Sequence, residues 1–274
     1  MPIYVGSNTK GFLNNINKAS NSLNDVLTQL STGNRLAVPG SSPAAVAVAS
    51  TLDAQVRGWQ MAQNNIQTGI NVANIADGAL GSIQENLLSL RDLAVQASNG
   101  TVTDYTAYVS EYTGLVDTIN AVANGISYEG KDLLKGTITL TLQVGPDTGS
   151  TNTVDLGGQL SDNRTAALGI TSSPTSQANA NTLITQVDAA LVTLGSNRAK
   201  VGSTINQLES RMDMAEVASV NYSASFSSIR DTDVAAATAE MTRQELLMSL
   251  ATQSFQKRLS SDALVLQLLQ GAFG

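Results

Sequence analysis

Residues 44–98 read AAVAVASTLD AQVRGWQMAQ NNIQTGINVA NIADGALGSI QENLLSLRDL AVQAS. Within them Leu52, Val56, Trp59, Ile66, Ile70, Ala73, Leu80, Ile83, Leu87, Leu90, Ala94 and Ala97 return at steps of three, four or seven. That spacing lays one apolar stripe along an α-helix. No proline falls between Pro43 and Pro146, so nothing in the stretch breaks a helix interior. Some 50 helical residues make a rod of roughly 75 Å, too long for an ordinary globular domain and suited to a coiled-coil-like bundle.

The same period appears on both sides. Phe12, Ile16, Ala19, Leu23, Val26 and Leu30 predict a helix from about Gly11 to Thr32, with Gly33-Asn34 as its stop. Residues 37–43, with Pro39 and Pro43, read as a linker, and Ser41 or Ser42 suits the cap of the next helix. Tyr105, Tyr108, Tyr112, Leu115, Ile119 and Val122 predict a third helix over about 104–124. The period then changes: Ile138, Leu140, Leu142 and Val144 alternate with polar residues, as in a half-buried strand, and 153–156 can return beside it. Residues 157–178 read as loop. Helical spacing resumes from Leu183 through Ile229, and a last helix carries Val234, Ala237, Met241, Met248, Ala251, Phe255 and Leu259.

The fold class expected is therefore mainly α: long antiparallel helical rods in a coiled-coil-like bundle, a small β-hairpin region, and terminal helices that pair with each other. The organisation expected is an N-terminal helix in 1–36, a linker at 37–43, a rod domain over 44–230 with its hairpin near 137–156, and a C-terminal helix in 231–274. A terminal helix with one partner is marginal in water, because most helix stability comes from packing. The ends are thus expected to order on assembly.

Composition narrows the function. Only 14% of residues are charged and 4% aromatic, and the small polar residues that dominate the rest suit close helix packing. A net charge of −7 argues against nucleic acid, whose binders need a basic face. The chain has no Cys and no His, which removes thiolate chemistry, the usual general base and the commonest metal ligand. No enzyme, cofactor or metal site is expected. The first residues lack a basic and then apolar leader pattern, so no cleaved secretory signal is expected, and no window is apolar enough to insert in a membrane.

Single residues support bland readings. Asp231 and Asp233 suit a helix cap better than a cation site. Asp53 and Glu85 suit solvated or inter-subunit charges, the three tyrosines suit packing, and Met241 and Met248 suit interface filling. Asn99, Asn163 and Asn221 each begin an Asn-x-Ser/Thr tripeptide of the kind that arises by chance.

Leu30-Ser31-Thr32-Gly33-Asn34-Arg35-Leu36 resembles the leucine-serine-serine-glycine-x-arginine-isoleucine motif that ends the first helix of bacterial flagellins. Ala76-Asp77-Gly78-Ala79-Leu80 and Leu90-Arg91-Asp92-Leu93-Ala94-Val95-Gln96 resemble two further motifs of that family. Near the other end, Ile229-Arg230-Asp231-Thr232-Asp233, Met241-Thr242-Arg243 and Val265-Leu266-Gln267-Leu268-Leu269 are similar to three more, in the family's order. The resemblance implies a filament subunit whose terminal helices form the filament core, and whose short middle (about 137–180) carries none of the variable outer domains. It implies self-assembly through Ile16, Leu23, Val26, Leu30, Val234, Met241, Met248, Phe255 and Leu259. It further implies export to the extracellular flagellum, a chaperone on the C-terminal helix, and contacts with filament-cap and hook-junction proteins. Ser89 stands where many flagellins carry an Arg used by the host innate receptor, and Thr118 where a Glu is common. The surface of Ser89, Arg91, Leu93 and Thr118 is therefore expected to bind that receptor weakly. Modification is implied on Ser and Thr of 145–178. A relative at the hook–filament junction, or a secreted monomeric helical adhesin or effector, is the competing reading.

Overall fold

The computed structural model describes residues 6–272 except 39, 41 and 137, and leaves aside the side chains of 6–9, 262, 265, 266 and 269–272. The Ser41 cap, Pro39 in the linker, Thr137 at the expected strand start and the side chains of Val265, Leu266 and Leu269 lie outside the described residues. Five helices are described: α1 Gly6–Thr32, α2 Pro43–Ala97, α3 Thr106–Gly125, α4 Gln177–Arg230 and α5 Val234–Ala272. Two hairpins lie between α3 and α4: β1 Ser127–Tyr128 with β2 Lys131–Asp132, and β3 Thr141–Gln143 with β4 Thr153–Asp155.

These elements divide into two compact units, one comprising the chain up to Ala54 together with Tyr222 onward, the other Gln55–Asn221. The division falls inside α2 and α4.

The central unit is built on the stripe quoted above. Ile66, Ala73, Leu80, Ile83, Leu87, Leu90, Ala94 and Ala97 are buried on α2, and Leu183, Val187, Ala190, Leu194, Val201 and Leu208 on α4. The two helices run antiparallel. Arg198 reaches Asp77 with two hydrogen bonds of 2.9 and 3.0 Å and Gln84 with a third, and Arg91 meets Asp188 further along. Helix α3 adds Ile119 and Ala123, and the connecting segments add Leu133, Leu134, Leu142, Leu156, Leu160 and Ile170 to the same core. Tyr108 and Tyr112 pack against it, and burial pushes the Tyr112 phenol up.

The hairpins show what period alone does not reveal. β1 and β2 are joined by Glu129-Gly130, both at positive φ (48° and 75°), a two-residue turn whose twist matches the strands it joins. The expected strand over 137–144 contracts to Thr141–Gln143, paired as Thr141↔Asp155, Leu142↔Val154 and Gln143↔Thr153. Gly157 closes that hairpin. A Cβ there would stand 2.5 Å from the Ile138 carbonyl oxygen and 2.7 Å from the Leu140 nitrogen, backbone atoms that cannot swing aside.

One polar pair enters the core. Asn197 donates to the Asn163 Oδ1 at 2.8 Å, and the Asn163 amide donates on to the Ser161 carbonyl. Asn163 is fully buried, so its Asn-x-Thr tripeptide presents no acceptor for a glycan.

Candidate assembly surface

The terminal unit holds α1 against α5. Its foundation is a clasp at the end of each helix's run of motif residues. Gly33, at φ +65°, ends α1 in the left-handed conformation that glycine supplies without a Cβ penalty. Asn34 then bridges Asp231, the Arg35 amide donates to the Arg230 carbonyl at 2.7 Å, and the Thr232 amide donates to the Gly33 carbonyl at 3.0 Å. The Arg35 guanidinium adds two bonds to the Ile229 carbonyl, 3.2 and 2.7 Å, at the negative end of the α4 dipole. Asp233 starts α5 by accepting from the Ala235 and Ala236 amides at 2.9 and 3.1 Å, the geometry of a helix N-cap. Asp231 is engaged by Arg230, whose hydrogen bond holds its carboxyl below the usual carboxylate range. Both aspartates thus have structural employment, and no group of three candidate metal-ligating side chains occurs among the described residues.

From this clasp α1 and α5 run antiparallel as far as Phe12, over which the Arg258 guanidinium sits at 5.9 Å. Ala19 and Val26 on α1 and Ala237 and Gln244 on α5 are buried. Ile16, Leu23, Leu30, Met241, Met248 and Phe255 are half-buried beside them. Gln244 is tolerated there because its amide donates to Glu240 at 2.6 Å. Val234 and Leu259, expected on the assembly surface, are exposed. The residues named from the sequence therefore divide: Val26 is already covered by the chain's own helix, six others are half covered, and two are bare.

A second apolar set runs along α5, of which Leu268 falls in the Val265–Leu269 motif and Leu246 and Leu250 fall outside the stripe. Leu246, Leu250, Leu264 and Leu268 are 59, 58, 59 and 71% exposed. At 100° per residue they fall on the side of α5 opposite Ala237 and Gln244. Leu13 and Leu27 are likewise exposed on α1. Between the helices lies an open groove of about 460 Å³ lined by Phe12, Ala19, Leu247, Leu250 and Ala251 among others. The signal was present as a second spacing in the sequence, overshadowed by the stronger Met241–Met248–Phe255 stripe.

In the central unit Ser89 and Thr118 are exposed, each hydroxyl bonded to its own helix carbonyl four residues back, at Glu85 and Gly114. Arg91 is occupied by Asp188 at 2.6 Å, and that hydrogen bond holds its guanidinium more firmly protonated. Leu93 corrects the expectation: at 3% exposed it belongs to the core, because it lies on the buried flank of the α2 stripe, and it offers nothing to a receptor. Glu85 is exposed. No helix among the described residues is long and apolar enough to cross a membrane.

A chain that clasps its two ends together and leaves leucines bare along the outside of that pair carries an apolar contact surface, since exposed apolar faces mark sites of interaction. Comparison with known proteins gives the family. The bacterial flagellin N-terminal helical region matches residues 7–139, and the bacterial flagellin C-terminal helical region matches residues 184–269. A flagellin of Halalkalibacterium halodurans is 32% identical over 248 residues, covering 89% of this chain and 90% of its own. A flagellin of Bacillus subtilis is 28% identical over 292 residues, covering 94% and 96%. In fold alone, the chain is similar to the structure of a putative flagellar hook-associated protein from Vibrio parahaemolyticus, at TM-score 0.51 and 19% identity over 68% of this chain and 99% of that one.

The chain belongs to the bacterial flagellins, and is a short form without a large variable domain. It is a structural protein that builds the extracellular flagellar filament used for motility.

Proposed function

We propose that α1 and α5 supply the contacts between subunits of the filament, with the half-buried residues Ile16, Leu23, Leu30, Met241, Met248 and Phe255 closing the pair within each copy. Val234 and Leu259 extend that seam, and Leu246, Leu250, Leu264 and Leu268 meet neighbouring copies. The observation that carries this reading is the second leucine set on α5, which is 58–71% exposed and centred on the side of the helix opposite Ala237 and Gln244. Burying each such leucine is worth on the order of 2 kcal/mol, so four per subunit, repeated along a polymer, favour assembly strongly. Before assembly the same stripe needs cover, which supports an export chaperone on α5. Filament-cap and hook-junction proteins, which would meet terminal units at the ends of a polymer, are partners in the same reading.

Leu246→Asp is the test, because the residue is exposed in the single chain and does not line the groove between α1 and α5. The variant is expected to keep the parent's helix content and melting curve, yet to grow no filaments from seeds under precipitating salt. Normal filaments by electron microscopy would exclude the outer stripe from the contact.

We further propose that recognition by the host flagellin receptor is weak and falls on a separate surface of the central unit. It rests on Ser89, Arg91 and Thr118, with Leu93 withdrawn. The small Ser89 hydroxyl is turned to its own helix, and Arg91 is held by Asp188. Ser89→Arg is expected to raise binding of the monomer to immobilised receptor by tenfold or more, as about 1.4 kcal/mol would do. Unchanged binding would remove this surface from consideration.

A further inference from the structure

Asn99-Gly100 and Asn124-Gly125 are the two Asn-Gly steps in the chain. They differ in setting. Asn124 and Gly125 end α3, where helical geometry fixes the backbone and keeps the glycine N–H in the helical ladder. Asn99 lies beyond the end of α2, exposed, at the first position of a turn closed by the Val102 amide donating to the Asn99 carbonyl at 3.0 Å. Its side-chain Oδ1 accepts from the Thr101 amide at 3.2 Å. The Gly100 N–H, between them, donates no hydrogen bond among the described residues.

We infer that Asn99 is a site of spontaneous deamidation. The Thr101 bond folds the carboxamide alongside the Gly100 peptide and polarises its carbonyl, as a fixed N–H donor polarises any acyl group under attack. Gly100 carries no Cβ to crowd its nitrogen, and that nitrogen is free. After losing its proton to solvent base, the Gly100 nitrogen attacks Asn99 Cγ and forms the N–Cγ bond. The tetrahedral carbon then expels the side-chain amide nitrogen, which takes a proton from water and leaves as ammonia. A cyclic imide remains. Water opens it at one carbonyl to give aspartate, or at the other to give isoaspartate, with the backbone then running through the former side chain. No oxidant, reductant or enzyme is required.

The product matters because of where it sits. Either acid adds a negative charge beyond the C-terminal end of α2, where the helix dipole is already negative. Isoaspartate also inserts a methylene into a four-residue turn. A subunit that persists in a polymer accumulates this change with time, loosening the α2–α3 connection while leaving α1 and α5 untouched.

Full-length protein, aged in mildly alkaline buffer and digested with trypsin, decides the matter, because one peptide, 92–131, carries both steps. Fragmentation of that peptide is expected to show first-order conversion at residue 99 to a mixture of isoaspartate and aspartate, faster at higher pH, with residue 124 at least about tenfold slower. Gly100→Ala is the second measurement. Its new Cβ would meet only the nitrogen at the tip of the exposed Gln177 side chain, at an ordinary contact distance of 3.4 Å, with φ outside the left-handed range, so the variant folds. It is expected to slow conversion at residue 99 at least about tenfold, through crowding of the attacking nitrogen. Conversion that ignores Gly100→Ala, that yields aspartate without isoaspartate, or that favours residue 124 would overturn the inference.

Discussion

Leu23→Asp is expected to abolish filament growth while leaving the central unit unchanged. Leu23 is half-buried on α1, between the buried Ala19 and Val26, on the helix that packs against α5. A carboxylate placed in that seam exchanges apolar contact for a charge that must be desolvated, and partial burial of a charge costs several kcal/mol. The terminal pair rests on few buried side chains, Ala19, Val26, Ala237 and Gln244 on the two helices, each still 8–9% exposed, so it has little reserve to absorb such a loss. The 55–221 unit has its own core and does not depend on the seam. Trp59, the single tryptophan, packs against that core and reports on it selectively. The expected result is parent-like tryptophan fluorescence and melting of the central unit, with no filaments after seeding in precipitating salt. Filaments of normal length and number would remove Leu23 from the assembly seam.

Leu87→Ala should do the reverse. Leu87 is fully buried in the centre of the α2 stripe, surrounded by the α4 and α3 side chains of the same cluster. Truncating it removes apolar contact and leaves a cavity, at a cost of about 3 kcal/mol, which lowers the Tm of a body this size by roughly 6–12 °C. Thermal unfolding followed through Trp59 is the measurement. No residue of the terminal pair is altered, so filaments are expected to form below the lowered transition. A shift under about 2 °C would mean that the site collapses around the smaller side chain and that the core is looser than its burial implies. Together the two variants separate folding from assembly: one breaks the polymer and spares the fold, the other weakens the fold and spares the polymer.

Much of this architecture was legible before any coordinates. Helix placement followed from period and punctuation: α2 was expected at about 44–98 and spans Pro43–Ala97, and the first helix ends at Thr32 as its Gly33-Asn34 stop implies. Burial on the α2 and α4 stripes matched because a single strong period leaves one face to bury. The failures have physical causes. The Glu129-Gly130 turn gives no periodic signal, because the two-residue strands it joins have too few positions to display alternation. Leu93 was placed on a surface by analogy of motif, although it sits beside Leu90 and Ala94 on a face the helix turns inward. Asn163 and Gln244 are buried polar residues whose partners, Asn197 and Glu240, are found only once the backbone is folded. The second leucine set on α5 was hidden for another reason. Period reveals that a face is apolar, but a helix with two such faces gives no local sign of which one its own chain will cover.

The clasp between Gly33–Arg35 and Ile229–Thr232 has a consequence in time. Its hydrogen bonds join residues 194 positions apart, such as Arg35 and Ile229, and Thr232 must exist before the last of them closes. On a ribosome adding about 5–20 residues each second, α1 emerges on the order of ten to forty seconds before the clasp can form, and longer before the whole of α5 does. Throughout that interval α1 is an amphipathic segment without its native cover. One half of the terminal pair waits for a partner that is still being made.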